Sequence, residues 1–337
     1  MDIESLWSRG TKFLGTKYAI MAGAMSWVSE HNLVSAISNA GGFGVIACGS
    51  MGADLLRKEI RLTKQNTQKP FGVNLITMHP EISDLIRVCI EEKVSHVVLA
   101  GGLPKASSIE VLKNAGIKIL CFAPTLTIAK RLVKLGVDAL IIEGMEAGGH
   151  IGPVSTGVLV QEILPHITEV PVFVAGGIGR GEMIANYLLM GAAGCQLGTK
   201  FVCAHESIAH PKFKEAFIRA SARDATVSVQ VDPEFSVIPV RSLSNRATES
   251  FIEAQRGAIA KYTKGELSKA DAQLEIEKFW AGALRRAVIE GDVETGSVMA
   301  GQSVGMVERE QSASEIIEEL VNQAETSIRS LNKAVSI

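Results

Sequence analysis

The stretch VPVFVAGGIGRGEMIANYLLMGAAGCQLGTKFV, residues 170–202, holds one complete structural unit and the start of another. Its opening run is apolar, largely β-branched and unbroken, with no polar face to turn toward water. A run of that kind reads as a strand covered on both sides, as in a parallel sheet. It stops at Gly176-Gly177, a helical pattern runs from Gly181 to Met190, and the next apolar run, GCQLGTKFV, begins at Gly194.

Toward the N-terminus the same unit recurs. Apolar runs fall at 18–23 (YAIMAG), 42–47 (GFGVIA), 71–77 (FGVNLIT), 96–101 (HVVLAG), 118–124 (KILCFAP) and 139–144 (ALIIEG). Amphipathic helical patterns lie between them, among them Glu30–Ala40, Asp54–Gln65, Ile82–Lys93 and Ile128–Leu135. Eight strands alternating with helices satisfy a closed (β/α)8 barrel. A doubly wound sheet usually has fewer strands and a GxGxxG fingerprint after the first, where this chain reads MAGAM. The fold expected is therefore α/β, a (β/α)8 TIM barrel over residues 1–205.

Beyond Val202 the rhythm breaks. Residues 205–240 are mixed, and Ala247 to Glu290 reads as two charged amphipathic helices with a break near Gly265. A compact segment, GDVETGSVMAGQ (291–302), precedes a final helix from Ser314 to about Ala334. The expected division places a mainly helical lid or substrate segment at 206–290, covering the barrel mouth, and a segment at 291–337 that returns to the barrel. The alternative is a tail packed elsewhere, for instance at a homodimer interface.

Bulk properties bound the partners. The 337 residues, 47% hydrophobic and 21% charged, suffice for one large barrel with an addition or for two ordinary domains. A net charge of −2 without clustered Lys or Arg weighs against nucleic acid. Five cysteines, odd in number and without a CxxC pair, offer neither a disulfide framework nor metal-ligand spacing, so they read as buried free thiols and no metal is expected. The polar N-terminus MDIESLWSRGTKF is unlike a signal peptide, and no apolar run approaches a membrane span. A cytoplasmic protein without membrane contacts is expected.

In barrel enzymes the reacting groups stand on loops at the C-terminal ends of the strands, and a phosphate is often held after strands seven and eight. Here strand seven ends in AGGIGRG, where Gly176 and Gly177 let main-chain N–H groups approach an anion. Strand eight ends in QLGT, where Gly198 and Thr199 offer an N–H and a hydroxyl. One phosphate without a Walker lysine motif suggests a mononucleotide such as FMN. The small residues Ala22-Gly23-Ala24-Met25 after strand one allow a flat ring to lie against the backbone. Asn74, polar inside the apolar strand PFGVN, either bonds a flavin edge or satisfies a loop backbone. After strand six, EGMEAGGHIG (143–152) interleaves Glu143, Glu146 and His150 with glycines. A histidine suits proton transfer near neutral pH, and its place at the reacting end of the barrel makes His150 the candidate catalytic residue. His96 and His166 read as structural.

MAGAMSWVSEHNLVSAISNAGGFGVI (21–46), PFGVN, EGMEAGGHIG, the stretch from Val172 to Ser207, and GSVMAGQ (296–302) together resemble the nitronate monooxygenase/2-nitropropane dioxygenase superfamily of FMN barrels. EGMEAGGHIG and GSVMAGQSVGMV look most like its flavin-dependent enoyl-[acyl-carrier-protein] reductase II branch. The resemblance implies FMN held by Ala22, Gly23, Ala24, Met25, Asn74, Glu143, Gly149, Gly176, Gly177, Gln196, Gly198, Thr199, Met299 and Gln302, with His150 at the active site. For that branch it implies NADH or NADPH as reductant and a trans-2-enoyl thioester on acyl carrier protein as substrate. The other branches imply a nitronate oxidised with O2 or a quinone reduced with NADH.

Overall fold

The structure, a computed structural model, describes residues 2–335 other than 234 and 236. Eight parallel strands form a (β/α)8 barrel: β1 (Ile20–Ala22), β2 (Gly44–Ala47), β3 (Phe71–Ile76), β4 (His96–Ala100), β5 (Lys118–Phe122), β6 (Ala139–Glu143), β7 (Val172–Ala175) and β8 (Gly194–Leu197). Each pairs with its successor from β2 onward, and β8 returns to β1, placing Cys195 beside Ile20 and Leu197 beside Ala22. The seam between β1 and β2 closes through one bridge, Met21 to Phe43. Ala22 N–H donates to the Phe43 carbonyl and Phe43 N–H to the Ile20 carbonyl, both at 2.9 Å. The strand runs are largely apolar because side chains inside the barrel and side chains under the helices are both buried; β1, β2, β7 and β8 are buried at every position.

The N-terminal end of the barrel is plugged by the helix Ser8–Leu14. The Phe13 carbonyl accepts from His96 Nε2 at 3.0 Å and from Lys118 Nζ at 2.5 Å, the first residues of β4 and β5. The His96 ring stands edge-on to Phe13 and Phe43, with centroids 5.3 and 4.9 Å away. Burial is the main cause holding His96 down at about 4, so the ring is neutral and structural, as read from the sequence.

After β8 a short helix, Thr199–Val202, begins, and then the chain leaves the barrel. It returns as the helix Ala313–Val335, which packs between the helices Gly181–Leu189 and His31–Asn39 and so fills the eighth place in the outer ring. Gln323 on this helix accepts from Gly181 N–H at 2.8 Å, and Glu319 pairs with the buried Lys200 at 3.0 Å. The excursion is closed at its base, where Ala204 bridges Gln311.

Within the excursion, the strands Ala225–Val227 and Val240–Leu243 form an antiparallel ribbon that takes in Gly149–His150 from the loop after β6. The helices Arg246–Thr263 and Lys269–Arg285 follow, capped by the Asn245 and Ser268 side chains. They bury a core of their own, in which Phe251 and Trp280 have ring centroids 4.2 Å apart among Phe235, Val240, Ala258, Ala272 and Ile276. All five cysteines are buried and unpaired, and burial pushes the Cys48, Cys121 and Cys203 thiols up to about 12, which leaves them unreactive. Among the described residues no helix is long and apolar enough to cross a membrane.

His96 makes the stability of the barrel depend on pH. Its proton affinity is lower folded than unfolded, so its contribution is complete above 6.5 and declines as pH falls toward about 4. Over that window the loss is about 1.4 kcal/mol per pH unit. Denaturant unfolding at pH 7, 6 and 5 should show this slope in the wild type and a shallower one in His96→Gln, which keeps a donor for the Phe13 carbonyl. Equal slopes would place the titration elsewhere.

Candidate active site

The loop after β6 is held from three sides. Arg241, 3% exposed in the ribbon, donates from Nε to the Met145 carbonyl at 2.9 Å and from Nη1 to the Ala225 carbonyl. Glu146 accepts from Thr156 N–H at 2.9 Å and from its hydroxyl at 2.8 Å, capping the helix Thr156–Ile163. A Cβ on Gly148 would strike the Ala300–Gly301 backbone at 2.6 Å, so the loop lies directly against the segment that follows the lid. Gln302 N–H donates to the Glu146 carbonyl at 2.9 Å, and Met299 Sδ sits 3.6 Å from where a Gly149 Cβ would be.

The two loop carboxylates therefore differ. Glu146 is spent on the fold. Glu143, at the end of β6, has no hydrogen-bond or ion-pair partner among the described residues, and burial alone pushes it up to about 7. Near neutral pH it can donate or accept a hydrogen bond.

Chemistry at the ends of β7 and β8 rests on main-chain N–H groups. Gly176 and Gly177 have φ of +94° and +70°, and a Cβ on either would press on Gly144 or on Glu146. Both positions thus require glycine for the turn itself. Past that turn, the N–H groups of Gly177, Ile178 and Gly179 donate to no acceptor among the described residues, nor does that of Gly198 after β8. Successive unpartnered N–H groups in a tight turn form a concavity for an anion. At Gly198 a Cβ would meet only Met25 Sδ, at 3.6 Å, so that side of the turn is open.

Gly23 lies against Gly198, its Cβ position 3.5 Å from the Gly198 Cα, and Ser29 holds the turn by donating to the Gly23 carbonyl at 3.0 Å and accepting from Met25 N–H at 3.0 Å. Ala22 to Met25 thus meet the end of β8. Gln196 is buried with its side-chain amide unpartnered among the described residues. Thr199 is engaged, because its hydroxyl oxygen accepts from Gly301 N–H at 3.0 Å, which leaves its own O–H and one lone pair. Asn74 donates from Nδ2 to the Val98 carbonyl at 3.1 Å, which leaves Oδ1 and the second N–H of the amide for a ligand.

His150 is 47% exposed, with its backbone paired to Val240 and its Nε2 3.0 Å from Oε2 of Glu277 on the helix Lys269–Arg285. Two contributors stand outside the sequence reading. Arg241, which clamps the loop, lies in a stretch that reads as mixed. Glu277 lies on a helix whose many charges single out no one carboxylate. Only the fold brings it to a loop 127 residues earlier.

Comparison with known proteins agrees with this geometry. A family model described as nitronate monooxygenase matches residues 8–323. The chain is 29% identical to a (3aS,4S,5R,7aS)-5-hydroxy-7a-methyl-1-oxo-octahydro-1H-indene-4-carboxyl-CoA dehydrogenase of Mycobacterium tuberculosis, covering 96% of this chain and 98% of that one. It is 29% identical to a nitronate monooxygenase of Paraburkholderia phytofirmans, covering 95% and 96%. Among solved structures, FabK from Thermotoga maritima superposes with a TM-score of 0.86 at 37% identity, over 97% of this chain and 98% of that one. The match takes in the barrel, the helices Arg246–Thr263 and Lys269–Arg285 and every strand end described above, and the chain belongs to the nitronate monooxygenase family of oxidoreductases.

Proposed function

We propose that the chain is an FMN-dependent oxidoreductase that uses NADH or NADPH to reduce trans-2-enoyl thioesters carried on acyl carrier protein. The observation that carries the cofactor is the set of unpartnered main-chain N–H groups at 177–179 and 198, which suits a single phosphate. The ring requires a flat surface and polar groups at its edge. The Ala22–Met25 turn packed on Gly198 supplies the first, and Glu143, Gln196 and Oδ1 of Asn74 supply the second. Met299 and Gln302 complete the wall from the segment lying on the β6 loop. The residues present therefore fit FMN.

When bound, FMN supplies the hydride chemistry, from the nicotinamide to the flavin and on to the substrate. The chain's own part is to orient and to handle a proton. In this reading His150 donates a proton to the substrate α-carbon or holds charge on the thioester oxygen. The helices of residues 206–290, which meet the barrel at His150, form the lid that covers the acyl group and keeps water out. A thioester is favoured by the similarity to FabK and to a dehydrogenase of a carboxyl-CoA compound. The family model favours a second reading, oxidation of nitronates with O2, in which His150 takes the α-proton. Stopped-flow reduction of the holoenzyme by NAD(P)H, followed by crotonyl thioester, a nitronate or a quinone, separates these. Reoxidation by the thioester alone is the expected result, and a flavin that NAD(P)H does not reduce overturns the reading.

The phosphate contact is tested apart from turnover. Gly198→Val should keep the barrel folded, since Met25 is the neighbour its side chain meets, yet lose most of its FMN because the side chain fills the open side of the turn. Full flavin occupancy in that variant would put the phosphate elsewhere.

His150→Ala should retain FMN, because flavin contacts lie on other residues. Its substrate half-reaction should slow by on the order of 10²–10⁴ while reduction by NAD(P)H changes far less. A collapse of flavin reduction alone would assign His150 to the nicotinamide step.

A further inference from the structure

The helix Lys269–Arg285 reaches the barrel mouth through two side chains. One is Glu277, with Oε2 3.0 Å from His150 Nε2. The other is Arg285, whose guanidinium lies 5.7 Å from the centre of the Trp27 ring, in the loop after β1. Trp27 has φ +66°, a left-handed conformation that a bulky aromatic residue adopts only when its surroundings impose it. The helix is further fixed where Ser297 N–H donates to the Ala283 carbonyl at 2.9 Å. Its register over the mouth is therefore set at the Arg285 end, independently of Glu277.

The backbone of His150 is equally fixed, through its pairing with Val240, so the freedom left to this residue is rotation of its ring and the position of its proton. Glu277 bears on both. With 47% and 31% of the two side chains exposed, the pair adds little to stability. Its consequence lies in which nitrogen carries hydrogen: a carboxylate beside Nε2 requires Nε2–H as donor, and this leaves Nδ1, which has no partner among the described residues, as the working atom.

We infer that Glu277 is a positioning residue that acts through His150, holding the ring by Nε2–H so that Nδ1 is the atom that handles the substrate proton. The inference rests on the role proposed above for His150. In the protonated ring both nitrogens carry hydrogen. Nδ1–H gives its proton to the substrate, the N–H bond breaks as the new bond to hydrogen forms, and the neutral ring left behind is the Nε2–H form that Glu277 favours. No tautomer exchange is needed, and solvent at the exposed edge of the ring returns the proton.

The test uses the FMN-loaded enzyme and four proteins: wild type, Glu277→Ala, His150→Ala and the double variant. Glu277→Ala should slow the substrate half-reaction by about 10- to 100-fold, leaving FMN content, melting temperature and flavin reduction by NAD(P)H unchanged. In the His150→Ala background the same substitution should change the substrate step less than about 2-fold, since residues that act as a unit are not additive. Nitrogen-15 spectra of labelled histidine, which need no substrate, should show neutral His150 as the Nε2–H tautomer in the wild type and as a mixture in Glu277→Ala. Penalties that add in the double variant, or an Nδ1–H tautomer in the wild type, would overturn the inference. A normal substrate step in His150→Ala would instead overturn the role proposed for His150, and the tautomer would still decide whether Glu277 positions the ring.

Discussion

Everything at the mouth depends on closure of the sheet. β1 is only three residues long and pairs on one side with β8, while on the other it is joined to β2 through Met21 and Phe43. That closure sets Gly23 against Gly198 and turns the first and last strand ends into one surface. In an open sheet of the same order β1 and β2 would be the two edges, and β1 would be paired on one side only. With a Cβ at Gly23, contact with the Gly198 backbone would be at ordinary van der Waals distance.

A second constraint orients the loop after β6. Its carbonyls and carboxylates would repel one another and any anion nearby, were they not divided between partners. The guanidinium of Arg241 takes the Met145 carbonyl, and the N–H and hydroxyl of Thr156 take Glu146. Burial in turn lowers the acidity of Glu143 to about 7, so near neutral pH this carboxyl is shared between its protonated and charged forms. The same loop then contributes Gly149 and His150 to the ribbon. One segment thus links barrel to lid, and the position of His150 depends on both.

How much of this is legible in sequence follows from the range of the interactions. The eight strands are legible because a parallel strand buried on both faces has no polar alternation to confuse it, and Gly176-Gly177 is legible because the turn itself demands positive φ. Asn74 is legible as unusual, though half of its amide turns out to serve Val98, the structural use that its residue type equally allows. Thr199 likewise stands where its motif places it, with its oxygen already bonded to Gly301. Long-range partners leave no such trace. Arg241 and Glu277 sit in segments where charge is the ordinary solvated state, and their neighbours in sequence say nothing of what they touch. The helix Ala313–Val335 reads as a final helix, but its substitution for the eighth barrel helix depends on Gln323 and Glu319 meeting residues more than a hundred positions earlier.

The helices Arg246–Thr263 and Lys269–Arg285 have a core separate from that of the barrel. Phe251, Ile276 and Trp280 pack on each other and on Phe235 and Val240, and Met299, between the two cores, is shared by both. A side chain exchanged in this second core is therefore felt mainly within it, whereas one exchanged in the barrel disturbs the strands themselves. Relatives similar to this chain over most of its length bear names as different as nitronate monooxygenase and carboxyl-CoA dehydrogenase. The exception is any lid residue that touches the β6 loop. Glu277 is such a residue, and at that point a change made for the sake of the substrate also reaches the histidine.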